Sequence, residues 1–199
     1  MQKNLLLIFT RNPELGKVKT RLAKTIGNEK ALEIYILLLK KTKEVTKNLN
    51  CDKAVYYSVK IRENDIWDEN TYQKHQQNGE DLGVRMQNAF LKGFNDGYEK
   101  IIIVGSDLFD ITPNHINNAF EKLNTNDVVL GPAEDGGYYL LGMTENHSAI
   151  FKNKEWGTSS VRKDTLNDLK NNKVFLLNEL NDIDLYDDLK KHDSLLIII

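Results

Sequence analysis

The sequence predicts an α/β fold in which a mostly parallel sheet is covered by helices on both faces. Two observations carry this. Short apolar runs of strand length alternate, nearly throughout, with longer segments whose apolar residues recur every 3.6 positions. The clearest of these runs are continuously apolar, as strands buried on both faces require. No internal repeat, low-complexity block or Pro/Gly-rich linker divides the 199 residues, so one domain over 1–199 is expected.

The elements follow in order. Asn4–Thr10 is a short apolar run and reads as a buried strand, and Arg11–Thr20, with Pro13 and Gly16, reads as a loop. Asn28 can cap a helix over about 29–48, whose stripe is Ala31, Leu32, Tyr35, Leu38, Leu39 and Val45. Strands are expected at 53–59 and, more weakly patterned, at 72–76, with polar residues 60–71 between them. A helix over 80–95 carries Leu82, Met86, Ala89, Phe90 and Phe94 on one face, and Lys100–Val104 is the clearest buried strand. Thr112 caps a helix with Pro113 at its first position. Strands at 127–130 and 138–143 flank a glycine pair. A helix over 159–171, a strand over 173–177 and a short helix over 185–192 complete the pattern, and the apolar tail 195–199 is at most strand length.

Composition excludes several classes. Hydrophobic residues at 40% and charged residues at 28% are ordinary globular usage. A net charge of −2 lacks the basic field of a nucleic-acid binder, so no nucleic-acid partner is expected. No stretch approaches the roughly 20 apolar residues of a membrane span, and the run at 5–9 is too short for a secretory signal. The single cysteine, Cys51, cannot pair within the chain, which fits a reducing, cytoplasmic setting; a small half-buried residue is the expectation there rather than a nucleophile.

Ligands of such sheets bind beyond the carboxyl ends of the strands, which points to the loops after Thr10, Val104, Leu130 and Leu177. The first is basic: five cations and one acid fall between residues 11 and 24. Lys17, Lys19 and Arg21 are spaced by two, so an extended segment would aim all three one way, beside Thr20 and with Gly16 allowing close approach. With Arg11 they form a candidate polyphosphate site; a solvated basic loop is the bland alternative. It is not a P-loop, because position 11 is Arg and position 18 is Val, and no GxGxxG follows a strand.

The strand at 101–104 runs into Gly105-Ser106-Asp107, which puts a hard oxygen ligand suited to Mg²⁺ or Mn²⁺ at the ligand edge. Asp110 reads as a loop stabiliser. Its spacing of three from Asp107, with Phe109 between, departs from the spacing of two in haloacid-dehalogenase-type phosphatases. Glu134-Asp135-Gly136-Gly137 joins two strands, where paired glycines alone could be a plain turn, and an acidic pair before them at that edge better suits sugar hydroxyls or a metal. Trp156 could stack on a sugar or simply pack. Asp184 could reach the metal of Asp107 or cap the last helix, whereas Asp187 and Asp188 serve that helix's N-terminus.

Six ordered segments together resemble a known family: residues 9–22 (FTRNPELGKVKTRL), 79–86 (GEDLGVRM), 104–107 (VGSD), 131–142 (GPAEDGGYYLLG), Trp156-Gly157-Thr158 and Asp182-Ile183-Asp184. They look like the bacterial radical-SAM/selenodomain-associated transferases of the GT-A, or nucleotide-diphospho-sugar transferase, superfamily. The resemblance spans nearly the whole chain. It implies a three-layer α/β/α sandwich with a mixed sheet of about seven strands, and points to relatives such as phospholactate guanylyltransferase and the molybdenum-cofactor nucleotidyltransferases. By that match Arg11, Gly16, Lys17, Lys19, Arg21 and Asp81 would bind nucleotide phosphates, and Asp107 and Asp184 would hold Mg²⁺ or Mn²⁺. Lys19, Arg21 and Asp107 would carry catalysis, and Asp135, Gly136, Gly137 and Trp156 would bound the acceptor or sugar side. The partners implied are a nucleotide or nucleotide sugar and a small acceptor. One departure is visible: Leu108-Phe109 stands where the family has Cys-Pro, which puts the loop's acceptor contacts in question while keeping both acids. The resemblance brings with it the family's usual label of glycosyltransferase and would imply a place in arsenosugar-type biosynthesis. The dense basic loop favours a triphosphate donor and the family label a sugar donor, while a catalytically silent nucleotide-binding module is the third reading.

Overall fold

A computed structural model of the protein describes residues 3–198. Seven strands form one sheet in the order β3-β2-β1-β4-β6-β5-β7. They are β1 (Asn4–Thr10), β2 (Asp52–Tyr57), β3 (Gln73–Gln76), β4 (Lys100–Gly105), β5 (Val128–Pro132), β6 (Tyr138–Met143) and β7 (Val174–Leu176). Only β6 runs against its neighbours: it pairs antiparallel with both β4 and β5, and the other pairings are parallel. The sheet is therefore mixed and mostly parallel, as expected.

Period-2 alternation within the buried strands divides the core between two faces. Leu6 and Ile8 of β1 and Ile102 and Val104 of β4 pack with Tyr35, Leu39 and Val45 of α2 (Asn28–Thr46), and with Ile116, Ala119 and Phe120 of α4 (Pro113–Lys122). Leu5, Leu7, Ile101 and Ile103 face the other way, onto Met86, Ala89 and Phe90 of α3 (Leu82–Asn95) and Ile150 and Phe151 of a 3-10 turn, Ser148–Phe151. Each fully buried Leu, Ile, Val or Phe side chain among them stabilises the fold by about 1.5–3 kcal/mol. A third cluster joins Leu22 of α1 (Thr20–Ile26) and Ile34 and Leu38 of α2 to Ile183, to Leu189 of α6 (Tyr186–Leu189) and to Leu195 of α7 (Asp193–Leu196). The remaining helix is α5 (Val161–Asp168).

Two local expectations change. Helix α1 begins inside the expected loop, and Gly27 at φ 83 ends it and opens α2, so Gly27 rather than Asn28 takes the capping position. Of the apolar tail, Leu195 and Leu196 close helix α7, with Leu195 turned into the third cluster; Ile199 lies outside the described residues. Thr112 does precede α4, and its backbone N–H donates to His115 Nδ1 at 3.1 Å. Among the described residues no helix is long and apolar enough to cross a membrane. Cys51 is half-buried, and burial pushes its thiol up to about 11, which removes it as a nucleophile at neutral pH.

Candidate active site

The carboxyl ends of β1, β4, β5 and β7 share one sheet edge, and the loops beyond them converge there. Asp107 leaves the end of β4. Residues 180–184 cross beside it: Leu180 bridges to Ala133, Asp182 bridges to Leu108, and Ile183 N–H donates to the Asp107 carbonyl at 3.4 Å. Ile183 is fully buried, so the acids flanking it are presented at the edge. Asp188 Oδ2 accepts from the N–H groups of Asp184 and Leu185 at 3.0 and 2.6 Å, which fixes the last acid and caps α6 as expected of it.

Lys19 joins the two distant acids. Its ammonium donates to Asp107 Oδ2 at 2.9 Å and Asp184 Oδ1 at 3.1 Å, and its side chain is only 4% exposed. Burial would depress its pKa, but the two carboxylates outweigh burial and hold the ammonium above the ordinary lysine range. Burial would likewise raise Asp107, but the Lys19 charge and hydrogen bond hold its carboxyl below the usual range. Arg21 Nη1 donates to Asp184 Oδ2 at 3.2 Å from an exposed position. Lys19 sits at φ 46, ψ 43, a left-handed conformation that costs a non-glycine residue roughly 1–2 kcal/mol and suits a position fixed by its side-chain partners.

Asp182 completes an acidic triad: one carboxylate oxygen each from Asp107, Asp182 and Asp184 lie within 4.8 Å of one another. Burial first, then the charges of Asp107, Asp184 and Asp135, push the Asp182 carboxyl up to about 6. Ligand oxygens near 2.1 Å from an octahedral Mg²⁺ are about 3.0–4.2 Å apart. A crowded set of hard oxygens near that spacing, mutually repelling, fits a small divalent cation.

Two cavities meet at this triad. A cleft of about 700 Å³ is lined by the cations Arg11, Lys19, Arg21 and Arg85, together with Tyr35 and the triad. Tyr35 Oη accepts from Arg11 N–H at 2.9 Å and contacts Ser106 Oγ at 3.3 Å, tying the end of β1 to the end of β4. A smaller pocket of about 230 Å³, sharing Asp107 and Asp182, extends under Asp135, Gly137 and Trp156.

The expected residues separate on this geometry. Lys19, Arg21, Asp107 and Asp184 meet directly, and Arg11 lines the same cleft. Lys17 and Gly16 do not line it. Gly16 at φ 71 and the Lys17 N–H bond to the Glu14 carbonyl at 3.0 Å make a turn, so the extended strip with three aligned cations does not form. Asp81 is spent on α3, where its Oδ1 accepts from Val84 N–H at 2.9 Å, and it lines neither cavity. Asp135 and Gly137 line the pocket with Asp135 Oδ1 accepting from Gly137 N–H at 2.8 Å, but Gly136 turns away from it. At φ 89, a Cβ on Gly136 would lie 2.4 Å from the Ser159 carbonyl oxygen, so its freedom serves a close chain contact rather than a ligand. Trp156 both lines the pocket and packs: a Cβ on Gly83 would meet its ring at 2.6 Å. Asp110 lies 3.5 Å from His192, in keeping with a loop role. Asp182 and Arg85 were missed. The alternation Asp-Ile-Asp was the available signal for Asp182, and Arg85 lies inside the quoted 79–86 segment.

The fold matches solved structures along its length. A Desulfovibrio desulfuricans G20 protein, provisionally named a nucleotide-diphospho-sugar transferase, is 29% identical with a TM-score of 0.86, over 99% of this chain and 95% of that one. The 4-diphosphocytidyl-2C-methyl-D-erythritol synthase of Anaerococcus prevotii DSM 20548 is 9% identical with a TM-score of 0.62, over 98% and 96%. A Mycobacterium tuberculosis H37Rv protein solved in complex with manganese is 10% identical with a TM-score of 0.58, over 96% and 97%. None of the curated proteins compared matches the chain. Its α/β fold is thus that of the nucleotide-diphospho-sugar transferase structures. Residues 41–158, more than half of the chain, match the family described as "uncharacterized protein conserved in bacteria (DUF2064)", and the chain belongs to that family.

Proposed function

We propose that residues 1–199 form one GT-A-like domain that acts as a metal-dependent transferase on a nucleotide-activated donor. The observation that carries the reading is the meeting of Lys19, Arg21 and three carboxylates at the floor of a cation-lined cleft. Arg11, Arg21 and Arg85 would engage the donor's phosphates, which guanidinium groups bind in bidentate fashion. Asp107 and Asp184 would hold Mg²⁺ or Mn²⁺, with Asp182 as an additional ligand. The ion would neutralise charge on donor phosphate oxygens and on the leaving group. Lys19 holds the place between Asp107 and Asp184 and would have to leave it for an ion to bind; released, its ammonium would turn to the donor phosphates.

The cations of the cleft favour a triphosphate donor, attacked at its α-phosphorus with loss of pyrophosphate. The likeness to the Desulfovibrio protein favours a second reading, transfer of a sugar from a nucleotide diphosphate. The resemblance of the six ordered motifs supports reading the chain as a radical-SAM/selenodomain-associated transferase that would act in the cytoplasm. Thermal stabilisation by all four NTPs and by common UDP- and GDP-sugars, each with and without Mg²⁺, tests the proposal. Mg²⁺-dependent stabilisation by one donor class is expected, with release of pyrophosphate or of a nucleoside diphosphate telling the two readings apart. Stabilisation by none would overturn it, and binding without turnover would leave a silent nucleotide-binding module.

A further inference from the structure

The two cavities that meet at Asp107 and Asp182 differ in charge. Four cations line the cleft, whereas no lysine, arginine or histidine lines the smaller pocket. That pocket's only charged residues are Asp107, Asp135 and Asp182, and the rest of its wall is largely apolar, including Phe9, Met86, Tyr138, Tyr139, Leu140 and Trp156. Asp135 adds to the repulsion felt by Asp182, so the acids at the mouth act on one another across it.

Asp107 is engaged by Lys19, and with Asp182 by the proposed metal, so an acceptor carrying a phosphate away from its reacting end would lie against the apolar wall and Asp135 with no cation of the pocket to pair it, and buried or half-buried anions need a paired cation. An apolar group meets no such penalty, and apolar cavities of roughly 150 Å³ already admit a benzene ring. At about 230 Å³ this pocket has room for one or two fused rings or a branched chain of similar size. Its seam with the cleft, at Asp107 and Asp182, is where such a molecule would present its nucleophile to the donor.

We propose that this pocket is the acceptor subsite and takes an uncharged, largely apolar alcohol, aromatic or branched, rather than a phosphate ester or other anionic acceptor. The proposal rests on the transferase reading and names the acceptor class for it. In the transfer the acceptor hydroxyl oxygen forms a bond to the donor's phosphorus or anomeric carbon. The bond to pyrophosphate or nucleoside diphosphate breaks and carries its electron pair away, and the hydroxyl proton passes to a base or water.

Ligand-observed saturation-transfer NMR on the full chain, with 3-(2-hydroxyethyl)indole, glycerol 3-phosphate and glucose as probes, tests this. The indole alcohol is expected to bind at least about tenfold more tightly than the other two. Ala133→Phe, which fills the pocket, should weaken it by about tenfold or more. Asp135→Lys, at an exposed position, should instead improve glycerol 3-phosphate binding and provides the control should the filled variant not fold. Equal or tighter binding of the phosphate ester by the parent, or indole-alcohol binding that survives a folded Ala133→Phe, overturns the proposal. Nucleotide binding with Mn²⁺ is followed in the same samples. Its absence would count against the transferase reading alone, while alcohol selectivity reports on the pocket alone.

Discussion

Replacing Lys19 by methionine removes the ammonium and keeps most of the side-chain volume. The lost group makes two ion pairs, at 2.9 and 3.1 Å, from a side chain 4% exposed, while the partner carboxylates keep 38% and 35% of their exposure. Breaking a fully buried pair costs about 3–5 kcal/mol, and the half-exposed acids reduce that here to about 1–3 kcal/mol. In a chain of this size the metal-free melting temperature should fall by roughly 2–10 °C. The same change removes the cation that would compete with a metal for Asp107 and Asp184. Free Mn²⁺, titrated by electron paramagnetic resonance without nucleotide, should therefore bind about tenfold or more tightly to Lys19→Met than to the parent, a gain of at least ~1.4 kcal/mol. Nucleotide affinity should move the other way, weakening by roughly 1.5–3 kcal/mol for one lost charge-assisted phosphate contact. Mn²⁺ affinity that stays level or falls would refute the idea that Lys19 and the metal share one position.

Three further outcomes are expected. Asp182→Asn relieves crowding among the acids: the folded carboxyl, raised to about 6, takes up protons that the unfolded chain releases near 4, so the parent loses stability as pH rises from about 4 to 6 and the variant should not. Differential scanning calorimetry across that range, without metal, checks the sign, and an unchanged pH slope in the variant would exclude Asp182 as its source. Gly136→Ala, forced against the Ser159 backbone at φ 89, should cost about 2–3 kcal/mol of stability, measured by urea unfolding, and a neutral result would show that the 133–137 turn yields. Lys17→Ala, outside the cleft, should keep nucleotide affinity within about 0.5 kcal/mol of the parent, whereas a loss as large as that of Lys19→Met would place Lys17 on the phosphates after all.

Most of the sheet was legible because its strands are buried on both faces and therefore written as apolar runs. The polarity of β6 was less so, since an antiparallel strand inserted between parallel ones has the same apolar pattern. Asp107 and Asp184 were legible as acids following strands that end at the ligand edge. The basic loop was misread in one respect. Spacing by two implies alignment only in extended chain, and positive φ at Gly16 and Lys19 breaks that geometry, which separates Lys17 from Lys19. Asp81 carried two compatible signals, a motif position and a helix cap before Leu82, and the structure uses the cap. Gly136 shows the same ambiguity: a paired glycine suits a ligand or a close chain contact equally, and only the position of Ser159 decides. That Lys19 would stand between two acids far along the chain depends on the path of residues 180–184, which no local pattern encodes.

On the transferase reading, Asp107 and Asp184 would hold a divalent ion where the Lys19 ammonium stands. Anomalous diffraction from crystals grown with Mn²⁺ and the nucleotide or nucleotide sugar that stabilises the protein best measures this directly. A manganese peak is expected within about 2.0–2.4 Å of an oxygen from each of these two carboxylates, with Lys19 Nζ drawn off them toward the phosphates. A bound donor with Lys19 still bridging Asp107 and Asp184, or a manganese peak away from both, would contradict it.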